Sequence, residues 1–133
     1  MADVQGERDL ASMLRSLTVE RRPGLYAYVS VERPEAELLG RAAAMVEESE
    51  GVTLVLTVDA AREAGLTSVY EAAWLTLAVH SSLDAIGLTA AVSGALTAAG
   101  IPCNVIAGTY HDHLLVPAAR AAEAQVLLTE LSA

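Results

Sequence analysis

The stretch VHSSLDAIGLTAAVSGALTAAGIPCNVIAG, Val79 to Gly108, decides the fold. It reads as the end of a strand, a polar turn, a helix, a glycine stop and a second strand. The helix is signalled by Leu88, Ala91, Val92, Ala95, Leu96 and Ala99, which fall on one stripe at the spacing of three and four residues that an α-helix requires. Gly100 ends that stripe, and Pro102 keeps the chain from resuming it. The polar face carries Thr89, Ser93, Gly94 and Thr97 and almost no charge, so it suits packing against another surface.

Working outward, AWLTLAVH upstream is a strand with Trp74, Thr76, Ala78 and His80 on one face and Leu75, Leu77 and Val79 on the other. Downstream, HLLVP is a strand, and Pro117 opens a last helix with Ala121, Ala124, Leu128 and Leu131 along one side. The first half begins with a short amphipathic helix through Leu10, Met13, Leu14 and Leu17. After Pro23-Gly24 comes the strand LYAYVSV, with Leu25, Ala27, Val29 and Val31 on one face. Pro34 to Glu48 has two readings, a helix opened by Pro34 or a strand turning at ESEG into the strand VTLVLTV. A short helix, AAREA, then follows, capped by Asp59 and stopped by Gly65.

LVLTVDAARE and LLVPAARAAE echo each other, with Ala60-Ala61-Arg62 matched by Ala118-Ala119-Arg120 at an offset of 118 − 60 = 58 residues. Either the chain duplicates one supersecondary unit, or two alanine-rich helices coincide by composition. A duplication gives an α+β protein of tandem ferredoxin-like βαββαβ subdomains, each an antiparallel sheet with helices on one face. The expected division is residues 1–70 and residues 71–133. The second lacks a final strand after Leu131, so a strand from the first is expected to complete it.

Composition narrows function. With 17 acidic against 8 basic residues and a net charge of −9, the chain is a poor partner for nucleic acid, whose phosphates are held by Lys and Arg. Apolar residues reach 53%, enough for a sizeable core and suggestive of self-association. No apolar run has the length of a membrane span, the N-terminus MADVQGERDLAS has no leader pattern, and Cys103 has no disulfide partner in the chain. A cytoplasmic location is expected, with no membrane contact.

The polar turn has two readings. Ser81-x-x-Asp84 resembles a capping box, which starts a helix and does nothing more. Alternatively, the unpaired N–H groups of the helix start take a ligand carboxylate, Gly87 lets the ligand approach the backbone, and Asp84 takes an ammonium group. Ser81 and Ser82 add hydroxyls, and Asn104 on the next strand adds a donor and an acceptor. His111 and His113, two apart, have a spacing that metal sites use, but they also fit a polar turn entering a strand, and no metal or cofactor is expected. No G-x-S-x-G elbow, H-E-x-x-H or glycine-rich phosphate loop occurs, and an enzyme is not expected.

These residues resemble the opening of an ACT domain, whose motif is Asp-x-Pro-Gly-Leu, a helix, Gly-Ile and a strand. Asp84, Gly87, Leu88 and Gly100-Ile101 match, and Ile86 stands where the family has proline. The string from Thr76 to Pro117 is similar to small stand-alone bacterial ACT-domain proteins of unassigned function, and EGVTLVL fits their first half. The resemblance favours a strand over Ala42 to Glu48. It implies a regulatory module that binds an amino acid or related metabolite, working as a homodimer or larger homo-oligomer. By position it implies a ligand site of His80, Ser81, Ser82, Leu83, Asp84, Ile86, Gly87 and Leu88, faced by Asn104, Val105 and Ile106. The alternatives are an interaction module with a vacant site and a histidine-based metal-binding protein.

Overall fold

The computed structural model describes residues 6–132. Residue 133 and residues 1–5, part of the N-terminus read above as lacking a leader, lie outside the described residues. The chain runs α1 (Leu10–Arg15), β1 (Val19–Arg21), β2 (Tyr26–Val31), α2 (Ala36–Arg41), β3 (Ala44–Glu48) and β4 (Gly51–Thr57). It continues with α3 (Val58–Glu63), β5 (Tyr70–Leu77), α4 (Leu88–Ala98), β6 (Asn104–Ala107), β7 (Asp112–Val116) and α5 (Ala121–Thr129). It folds as two compact units, one of Pro23–Ala73 and one of the residues up to Arg22 together with those from Trp74 on. Among the described residues, no helix is long and apolar enough to cross a membrane.

In the Pro23–Ala73 unit the strands lie in the order β3-β4-β2-β5, with antiparallel pairing throughout. The period-two pattern of β2 buries Ala27 and Val29 against Leu54 and Leu56 of β4 and Val58, Ala60 and Ala61 of α3. Each large side chain buried this way contributes about 1.5–3 kcal/mol. Both readings of Pro34 to Glu48 hold for part of it: residues 36–41 are helical, and β3 then pairs with β4 through Glu48 and Gly51. The cap of α3 differs from expectation. Thr57, not Asp59, accepts the Ala60 N–H at 3.1 Å, because the helix starts at Val58, ahead of Asp59.

The other unit repeats the plan. Its strands lie in the order β1-β5-β7-β6, so α4 and α5 take the places that α2 and α3 have in the first unit. The stripe read from the sequence is the buried one, with Leu88, Val92 and Leu96 from α4 and Ala121, Ala124 and Leu128 from α5. Met13 and Leu17, in and just after α1, are also buried. The fourth strand position is filled by β1, which pairs antiparallel with β5 from Val19–Leu77 to Arg21–Leu75. The N-terminal segment therefore completes the sheet of the unit that holds the end of the chain.

Candidate functional site

The β5–α4 turn is built from backbone bonds between near neighbours. The Val79 N–H donates to Leu77 O (2.9 Å), Ser81 N–H to Val79 O (3.0 Å) and Ala85 N–H to Ser82 O (3.0 Å). Gly87 ends the turn at φ +106°, a conformation that side chains rarely adopt, and it is the N-cap of α4. The helix begins four residues after Asp84, and no side chain caps it. Its first internal bond is Ala91 N–H to Gly87 O (2.9 Å), so the amides of Leu88 to Ala90 precede the helical ladder. The capping-box reading of Ser81 and Asp84 is therefore corrected: neither reaches the helix start.

What the two residues do instead differs. Asp84 is exposed; its carboxylate accepts the Ser82 hydroxyl and pairs with the Arg8 guanidinium at 2.8 Å. The Ser82 hydrogen bond, and after it the Arg8 charge, hold the Asp84 carboxyl below its ordinary range. Ser81 is buried, and its hydroxyl donates to Asp112 Oδ2 at 3.3 Å.

A cavity of about 150 Å³ opens at this turn. Of the residues expected at the site, it gathers Ser81, Ser82, Leu83, Gly87 and Leu88. It adds Ala85, Thr89, Ala107 and Asp112, which sequence reasoning did not place there. Asp112 opens β7 opposite Ala107 and faces the cavity because β7 neighbours β5 in the sheet. The carboxylate in the cavity is thus Asp112, and Asp84 lies outside its lining. The lining also leaves out His80, Ile86, Asn104, Val105 and Ile106. Ile86 is 86% exposed, and Asn104 and Val105 are exposed on β6, an end strand of the unit.

The histidines engage separate partners. His80 packs against Tyr110 with the rings tilted and their centroids 5.1 Å apart. The His111 Nδ1 lies 3.3 Å from Val79 O. The His113 Nδ1 is 3.2 Å from the Trp74 indole N–H and 3.0 Å from Thr76 Oγ1. Burial, and after it the charges of Arg22 and His111, push the His113 pKa down. Among the described residues no three His, Cys, Asp or Glu side chains converge on a metal position.

A larger cavity, about 470 Å³, lies in the Pro23–Ala73 unit over Val31, Leu38 and Leu66. Its rim charges Arg41 and Glu63 neutralise each other at 2.7 Å and are exposed. The smaller cavity is the stronger candidate because a buried hydroxyl, a carboxylate and uncapped helix amides meet there.

Residues 5–73 match one ACT-domain profile and residues 69–130 match another. The chain belongs to the ACT-domain family. It carries tandem ACT domains of α+β, ferredoxin-like architecture, and ACT domains are regulatory, amino-acid-binding modules. A protein of unknown function from Vibrio cholerae, described as a possible transport protein, is 39% identical; the match covers 93% of this chain and 96% of that one, with a TM-score of 0.83. A protein from Agobacterium tumefaciens shares the fold at 15% identity and TM-score 0.64, over 87% of this chain and 89% of its own. The regulatory subunit of aspartate kinase from Thermus thermophilus, in a ligand-free form, shares it at 10% identity and TM-score 0.65, over 89% and 97% of the two chains. No curated protein matches the chain.

Proposed function

We propose that this protein is a cytoplasmic, non-catalytic regulatory module that binds a small amino acid at the turn before α4. One observation carries the reading: the uncapped N-terminus of an eleven-residue helix opens, beside Ser81 and Asp112, into a closed-in cavity of about 150 Å³. The amides at Gly87 to Thr89, with the partial positive charge of the helix start, receive the ligand carboxylate. Asp112 receives the ammonium group, and Ser81 bridges the two ends. In this reading the ligand sits at the turn expected from the sequence, with Asp112 rather than Asp84 as its charged partner. The volume is below the roughly 300–1,000 Å³ usual for larger ligands, which favours glycine, alanine or serine over bulky side chains.

Binding acts by favouring one assembly or partner state over another, to the extent that its affinity differs between them. The assembly is a homodimer or larger homo-oligomer, a reading supported by Leu83 and Ile86, apolar side chains that are 68% and 86% exposed beside the turn.

Thermal-shift titration of glycine, alanine and serine against the wild type and Asp112→Asn tests the site. Ligand at about 100 times its dissociation constant adds about 2.7 kcal/mol, a rise of roughly 8–12 °C for a chain of this size. The rise should be lost in Asp112→Asn but not in Asp84→Ala. No rise with any of the three, or an equal rise in Asp112→Asn, rejects the site. Light scattering with and without the ligand reads the assembly state.

A further inference from the structure

Across the turn from α4 lies a segment that the ligand reading does not use. The backbone of Glu7 brackets Ser81: Glu7 N–H donates to His80 O and Ser82 N–H donates to Glu7 O, both at 2.7 Å, in a parallel bridge. One residue on, Arg8 holds Asp84 at 2.8 Å. Leu10 then backs onto Gly87 so closely that a Cβ there would stand 2.9 Å from Leu10 Cδ2. Gly6 sits at φ +77° with its Cα against the turn, where a Cβ would meet His80 O and the His80 ring at 2.7 Å. Residues 6–10 thus grip the turn at its beginning, middle and end.

We infer that this N-terminal strap is a positioning and regulatory element of the cavity: its docking fixes the turn from His80 to Gly87, and its release loosens the groups that receive the ligand. Bonds on both sides of Ser81 fix that residue's backbone while its hydroxyl reaches Asp112 in the cavity. The Leu10 contact fixes the glycine from which the α4 amides start. Ligand binding and strap docking draw on the same ordered turn, so each strengthens the other by an equal factor. Whatever competes for residues 6–10 therefore lowers affinity at the cavity without touching it. This inference rests on the proposed ligand role of the turn for its second half only.

The test uses amide-resolved hydrogen exchange on the full chain without ligand. Gly6→Val blocks close approach of the strap, and Arg8→Gln removes its ion pair; neither lines the cavity. The readouts are the amides of Ala85 and Ala91, which bond within the turn and at the first helical step. Release of the strap should speed their exchange about tenfold while the β6–β7 and β3–β4 ladders keep their wild-type rates. Faster exchange confined to Ser82, whose amide bonds to Glu7 directly, overturns the inference. If Gly6→Val loosens the ladders as well, Arg8→Gln decides on the same readouts. Glycine titration of the same proteins adds the second arm: binding about fivefold weaker in the variants supports the coupling, and equal binding overturns it. If glycine, alanine and serine all fail on the wild type, the ligand reading fails, and the exchange result still decides the strap.

Discussion

Two helices in this chain follow a strand and start in opposite ways. Thr57 ends β4 and caps α3 with its own hydroxyl, so strand and helix join without a gap and the helix start is satisfied from within. Between β5 and α4 the chain from Ala78 to Gly87 intervenes, and the helix opens on a glycine that offers no side chain. A capped start is closed to ligands because its amide is already in use. The contrast locates the candidate site better than cavity size does, since the larger cavity lies over the short helix α2 and mutually paired charges.

Glycine substitutions separate the two helix starts most. Gly87→Ala adds a Cβ at φ +106° into Leu10 and should cost roughly 2–4 kcal/mol in a urea unfolding curve. Gly65→Ala, at φ +68° after α3 with nothing within 4 Å, should cost only about 1–2 kcal/mol. Equal losses would show that Leu10 yields and that the start of α4 is not hemmed in.

The caps give the next effect. Thr57→Ala should cost about 1 kcal/mol, the usual worth of an N-cap hydroxyl. Asp84→Ala should leave the urea midpoint where it is, because the carboxylate is exposed and caps nothing. A midpoint lowered as far as by Thr57→Ala would restore Asp84 to a capping role.

The smallest effect is that of pH. His113 is held neutral in the fold, where Nδ1 accepts from the Trp74 indole N–H and lies against Thr76 Oγ1, and its pKa lies below the ordinary 6.5. The unfolded chain takes up that proton first as pH falls. The stabilisation is therefore complete above about 6.5 and is lost as pH drops through the window below it. Urea midpoints at pH 7.5 and about 5.5 should differ more in the wild type than in His113→Gln. Trp74, the one tryptophan, reports the same event by fluorescence. An equal pH response in both proteins would assign the change to other groups.

What the sequence could disclose follows from how local each signal is. The α4 stripe, the β2 alternation and the Ala121, Ala124, Leu128 face of α5 are periodic patterns within one element. The structure buries Leu88, Val92 and Leu96, Ala27 and Val29, and the α5 face, and leaves Ala91, Ala95, Ala99, Leu25 and Val31 half-buried. β1 gave no such signal. Three residues, two of them charged, become a strand only because β5 offers an edge. Asp84 drew the ligand reading because it stands near Ser81 and the helix in sequence. Asp112, which shares the cavity with Ser81, stands far along the chain and is brought there by strand order. Glu7 to Asp9 of the strap read as the first turn of a helix running from about Glu7 to Leu17, whereas α1 starts at Leu10, since the hydrogen bonds of Glu7 to the turn are backbone bonds that side-chain pattern does not encode.

The placing of β1 also has a consequence for the order of events during synthesis. α1 and β1 leave the ribosome before the Pro23–Ala73 unit, yet β1 pairs with residues 75–77, and the unit it completes extends to α5. The Pro23–Ala73 unit can close as soon as Tyr70–Ala73 emerges, while the earlier segment waits unpaired with Met13 and Leu17 exposed. Slow passage through the codons after residue 73 would lengthen that wait, and the nascent chain would then be most open to chaperones or to misassembly.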